Sequence, residues 1–322
     1  MTNTRMLAGH GWPFDATRPR EDHGFFGPDS PTWRVWTNVT ALVGFQRAVV
    51  LEHFDPFLTA AVADAQGIYS DPLGRLDGTL GYFTIVAIGD GRAAIEASEL
   101  LKKVHARATG IEPITGKRYS ANNPESQLWI HLTGWHSVLK CYELYGPGRL
   151  TPEQERRYWA DCAIAAELQT CQPSDVPRSR EGVRDYFEAV RPRLCSSERA
   201  HRAMHYLLRP PRAKVGLQTW LGGKLLARAT IASLPAWMRE LGGFDQYRVV
   251  DLGARVSGRV VAAALTPMRL RLMAAGRVAP SVQSMWRWAL TGAPPQRDAI
   301  VTPAEARERH AGGSAEVPAA AS

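Results

Sequence analysis

Nine histidines are the first places to look for chemistry, and their neighbours separate them. His105 stands in LLKKVHARATG. At helical spacing it falls one turn after Leu101, beside Val104 and three before Ala108, while Lys102, Lys103 and Arg107 point elsewhere. A neutral imidazole on an apolar helix face has two uses. It bonds a backbone carbonyl as a packing group, or it turns an unprotonated nitrogen to a haem iron in a dry pocket. The residues alone leave both open. His131, in SQLWIHLTGWHSV, shares a stripe with Leu128, Trp135 and Val138, and His136 lies on another face with Trp129 and Thr133. Either would serve as a second ligand or a pocket wall, or simply as a core residue.

Arg75 and Thr79 follow in DPLGRLDGTLGYF, four apart near a helix start and so on one side. A buried guanidinium there needs an anion: an acid such as Asp64 or Asp71, a carboxylate ligand or a haem propionate. Gly74, Gly78 and Gly81 strip the segment of side chains and admit a flat ligand or another helix. His201 and His205 are four apart, with Glu198 completing one Glu-x-x-His. A di-iron carboxylate site needs two of these, and the second is missing. The chain has no GxSxG elbow, no P-loop and no GxGxxG, so nucleophilic-serine and nucleotide chemistry have no local support.

The elements that must position these residues read as helices. Ser30-Pro31, Asp55-Pro56, Asp71-Pro72, Asn123-Pro124 and Thr151-Pro152 each pair a capping side chain with a proline at the first helical position. Gln154 completes a capping box after Thr151. Apolar residues at three-, four- or seven-residue spacing follow, from Val35 to Phe54, over 92–109, 124–145, 152–170, 180–190 and 197–208. One hairpin fits, around Thr115-Gly116-Lys117. The predicted fold class is all-α, with an irregular arm over 1–28, a helical domain over 29–300 and a disordered tail over 301–322. Trp12, Phe14, Phe25 and Phe26 could dock the arm.

Bulk properties narrow the classes. A chain of 322 residues buries its own core without metals or disulfides. Cys141, Cys162, Cys171 and Cys195 make no CxxC, no zinc pattern and no covalent haem site, and read as reduced packing residues. The net charge of +8 is spread along the chain with no basic block or nucleic-acid motif, so nucleic acid is not an expected partner. The start lacks an apolar signal region and no stretch is long enough to span a bilayer, which gives a cytoplasmic expectation. Met268, Leu270 and Leu272 alternate with Arg269 and Arg271. This is either a partly buried helix with solvated arginines or a peripheral membrane contact.

Five segments in order, PDSPTWRVWTNVTALVGFQRAVVLEHFDP, YSDPLGRLDGT, KKVHARATG, TGKRYSANNPESQLWIHLTGWHSVL and LTPEQERRYW, resemble the catalytic domain of the oxygenase MpaB and rubber-oxygenase (latex-clearing protein) family over roughly residues 27–250. The resemblance implies a globin-like helical core, non-covalent haem b, and cleavage of carbon–carbon double bonds with dioxygen. It makes His105 the proximal iron ligand, with Arg75 and Thr79 lining or bracing the haem pocket. Two departures stand out. Gly78 occupies the position of the rubber oxygenases' distal lysine, and Gln66 that of a histidine common among related sequences. The expected function is a haem-dependent oxygenase acting on an apolar, unsaturated, isoprenoid-like substrate. The alternative is a haem- or apolar-ligand-binding protein of the same fold without turnover.

Overall fold

Proline-started, side-chain-capped helices build the molecule. The structure is a computed structural model that describes Trp12, residues 14–65 and residues 67–310. Ser30, Asp71, Asn123 and Thr151 each accept a backbone N–H at a helix start, and Thr151 and Gln154 close a capping box. Asp55 accepts from the N–H groups of Phe57 and Leu58.

In chain order the first half is α1 (Pro31–Trp36), α2 (Thr40–Glu52), α3 (Pro56–Ala65), α4 (Gly67–Ser70), α5 (Pro72–Ile88) and α6 (Gly91–Ala106). A hairpin follows, β1 (Thr109–Ile111) antiparallel to β2 (Arg118–Ser120), with Gly110 opposite Tyr119. The second half is α7 (Pro124–Tyr145), α8 (Pro152–Ala166), α9 (Arg180–Val190), α10 (Glu198–Leu208), α11 (Arg212–Val215) and α12 (Leu217–Ser233). The chain continues through α13 (Ala236–Leu241), α14 (Arg248–Ala264), α15 (Met268–Val278), α16 (Pro280–Thr291) and α17 (Pro303–His310). The all-α expectation holds. Helix α6 stops before Gly110 because Thr109 already pairs as strand.

Helices α2 and α7 form the central pair. They touch at Gly44, where an added Cβ would lie 2.6 Å from the Val138 Cα. Backbone cannot yield as a side-chain tip can. Gly44→Ala is therefore expected to cost about 3 kcal/mol by overpacking, read as a lower denaturant midpoint. Around this pair Trp36, Phe83 and Trp135 interlock, with Trp36 stacked on Phe83 at 5.8 Å. Asp77 on α5 accepts the Ser281 N–H and hydroxyl, which caps α16 and fixes it to α5.

Both chain ends pack on the body. Trp12, Phe25 and Phe26 are buried against the body. Residues 303–310, expected within a disordered tail, form α17 and pack on α6 through buried Ala306, with Val301 buried just ahead. Two apolar residues near the helix start give it a docking face that its charged composition hides. Helix α15 buries Leu272 and Ala275 against its neighbours, while Arg271 donates to the Thr37 carbonyl at 3.2 Å. No described helix is long and apolar enough to cross a membrane.

Candidate active-site cavity

A cavity of about 700 Å³ runs between α2, α3, α5, α6, α7, α12 and α14. Its wall is overwhelmingly aliphatic and aromatic, with residues such as Val43, Val49, Leu76, Phe83, Ile130 and Leu226. A volume of this order suits an organic ligand or cofactor. Three sequence-predicted residues, Arg75, Thr79 and His105, share this wall.

Arg75 and Thr79 reach the cavity from α5. The Thr79 hydroxyl donates to the Arg75 carbonyl at 3.0 Å, so toward the cavity it offers only acceptor lone pairs. Burial lowers the Arg75 guanidinium from its ordinary value, and the charge of Glu52 opposes that shift. Asp71 caps α5, and Asp64 accepts from the Tyr119 hydroxyl.

His105 sits on the last turn of α6, half-buried. Buried Gln127 aims its amide nitrogen at His105 Nδ1, 3.3 Å away, and at the Ala121 carbonyl at 2.6 Å. In this arrangement Nδ1 accepts and the ring proton belongs on Nε2.

His131 lies apart from these three, and the cavity wall does not include it. Its Nε2 donates to the Cys162 carbonyl at 2.7 Å, its ring packs on Trp135 at 5.7 Å, and burial pushes its pKa down to about 4. The stripe seen in the sequence faces α8 and the aromatic core, away from the cavity wall. His136 is also outside the cavity, with Nδ1 3.4 Å from Arg47 Nη1. His201 and His205 pack ring to ring at 4.1 Å, His205 bonds the Gly242 carbonyl, and Glu198 pairs with Arg202. Gln66 lies outside the described residues.

Two residues that sequence reasoning passed over complete the polar side of the cavity. Glu52 and His53 end α2 and are buried. Glu52 accepts from the Thr133 hydroxyl at 3.3 Å; burial raises its pKa to about 7, opposed by that bond and by Arg75. His53 donates from Nδ1 to the Val49 carbonyl at 2.6 Å, which leaves an unprotonated Nε2, itself buried without a hydrogen-bond partner among the described residues. Its pKa is pushed down to about 4, first by burial and further by Arg75. In the sequence they show only as a polar pair at the end of an apolar helix just before Asp55-Pro56; what buries them is the packing of α7 and α10 against α2.

The docked arm also contributes. Trp12 lines the cavity and donates its indole N–H to the Gly78 carbonyl at 2.6 Å. The backbone at Gly78 is thus covered by an indole.

A mostly helical body around an apolar cavity, with imidazole, guanidinium and carboxyl groups on its wall, is the form of a domain that shelters a reaction from water. The chain belongs to the family described as ER-bound oxygenase mpaB/B'/rubber oxygenase, catalytic domain, whose model matches residues 33–267. It is accordingly an oxygenase catalytic domain. No curated protein and no solved structure matches the chain. The matched span leaves out Trp12 and α15, so parts of the cavity wall come from outside it.

Proposed function

We propose that the protein is a haem b-dependent oxygenase acting on an apolar, unsaturated, isoprenoid-like substrate with dioxygen. The observation that carries this reading is that His105 of α6 lines one apolar cavity of about 700 Å³ together with Arg75 and Thr79 of α5.

The residues present fit a haem. The donor set is imidazole, the walls are apolar, and a half-buried guanidinium is at hand for a propionate. His105 would hold the iron and Arg75 a propionate, and the bound group would supply oxygen activation. The chain's own residues supply the rest. The aliphatic walls hold an apolar substrate and exclude water. Glu52, with a pKa near 7, is able to keep or release a proton at working pH. For His105 to coordinate through Nε2, its ring proton must move to Nδ1, and Gln127 must then turn its carbonyl oxygen to that nitrogen. Gln127→Leu removes this acceptor and is expected to weaken haem retention by roughly 10-fold, measured by haemin titration.

The direct test is an absorption spectrum and pyridine haemochrome assay on protein expressed with ample haem. A Soret band at near-stoichiometric haem is expected, followed by oxygen uptake with a polyisoprenoid or terpenoid. A colourless protein that also refuses added haemin would end the haem assignment.

A further inference from the structure

Helix α14 has its apolar residues on the wrong side for a soluble surface. Its inner face is the small-residue row Ala254, Gly258 and Ala262, all lining the cavity. An added Cβ at Gly258 would stand 2.6 Å from the Tyr145 ring, so this row is held tight to the body. At the angular step of an α-helix, Val249, Leu252, Val256 and Val260 centre roughly 165° away from that row. All four are exposed, at 57–74%. Arg248, Arg255 and Arg259 run along one border of this ridge.

The packed neighbour α12 repeats the pattern. Leu217, Leu221 and Leu225 stand four apart and exposed, with Lys224 and Arg228 on the same side. Lys224 Nζ lies 3.7 Å over the Trp220 ring. Leu225 and Val261 are both exposed and part of the cavity wall, so the cavity reaches the surface between these two helices.

Charge follows the same geography. Residues 209–290 hold thirteen Arg and Lys against three Asp and Glu, a net +10, while the whole chain is +8; the remainder is therefore −2. The basic excess is concentrated on the segment that carries the exposed leucines and valines.

We infer that the α12–α14 face docks on an anionic lipid surface, with the cavity mouth at the membrane interface. Apolar side chains in the acyl boundary and arginines at the headgroups are the arrangement an interfacial helix requires. The arrangement lets an apolar molecule pass between bilayer and cavity without crossing water. The docking is independent of the haem assignment, because it uses no residue that would hold the group.

The experiment is sedimentation of the full chain, without added haem, with vesicles of phosphatidylcholine alone or mixed with phosphatidylglycerol, at low and high salt. Strong binding to the anionic vesicles is expected, weaker at high salt as headgroup charges are screened. The double variant Leu252→Asp, Val256→Asp changes only exposed positions and should keep its helicity and melting temperature. It is expected to lose roughly 10-fold or more in vesicle binding, because acidic groups replace the inserted side chains. No sedimentation with anionic vesicles at low salt would overturn the inference, and so would equal binding by the double variant. If wild-type protein instead forms a concentration-dependent dimer that the double variant abolishes, with no vesicle binding, the face covers a second copy and the lipid reading is wrong.

Discussion

His105→Ala is expected to weaken haem binding by on the order of 100-fold or more while leaving helix content and melting temperature close to wild type. The separation of the two effects follows from where the residue sits. His105 is half-buried on the last turn of α6, and its neighbours Lys103, Val104, Ala106 and Arg107 are exposed, so its removal opens no sealed core. On the α7 side Gln127 reaches it at 3.3 Å, and Gln127 keeps its stronger bond to the Ala121 carbonyl. The measurement is haemin titration followed at the Soret band, beside a circular dichroism melt. A His105→Gly variant that regains haem when imidazole is added would tie the loss to the missing ligand and not to a disturbed fold. His53→Ala is the necessary companion. His53 is already in a ligand's tautomer, with Nδ1–H given to a carbonyl and Nε2 unshared, whereas His105 must exchange tautomers. If His105→Ala kept its haem and His53→Ala lost it, the iron would belong to α2. His131→Ala should cost stability through its Cys162 bond and its buried packing and leave haem affinity unchanged.

These contrasts show where the sequence was legible. Helix starts were readable because a cap and a proline act within four residues, and all five such pairs begin helices. Arg75, Thr79 and His105 could be placed together because the family resemblance names them in order. Glu52 and His53 could not, since their burial depends on α7 and α10 closing around α2, which are contacts distant in sequence. His131 shows the reverse case. Helical periodicity says that a side chain faces inward, but not whether inward means a cavity or a packed interface with α8. The exposed ridge of α14 was equally hidden, because an apolar face in the sequence does not say which side of the helix meets the body, and here the small residues Ala254, Gly258 and Ala262 take that side.

Glu52→Gln should leave stability near wild type at pH 4.5 and raise it by about 3 kcal/mol at pH 8, because a buried carboxyl whose pKa rises from 4.5 to about 7 is costly to ionise. Between pH 4.5 and 7 the unfolded chain releases the proton and the folded chain keeps it. The unfolded state therefore binds fewer protons, and wild-type stability falls as pH rises through that window and levels above it. Glutamine mimics the protonated acid, so the variant escapes the fall. Wild-type data alone would hide this. His53 and His131, both pushed down to about 4, stay neutral in the folded chain while the unfolded chain takes up protons below about 6.5, so they remove stability as pH falls over an overlapping range. Asp161, raised to about 6 by burial, titrates with Glu52's sign. Subtracting variant from wild type at each pH cancels these groups and leaves Glu52. Urea denaturation at pH 4.5, 6, 7 and 8 supplies the curve. A difference that climbs through pH 4.5–7 means a dry carboxyl beside Arg75, a proton store at the cavity's polar end. A flat difference means that water reaches Glu52, and an end of the cavity open to water could not keep a reactive oxygen species from side reactions.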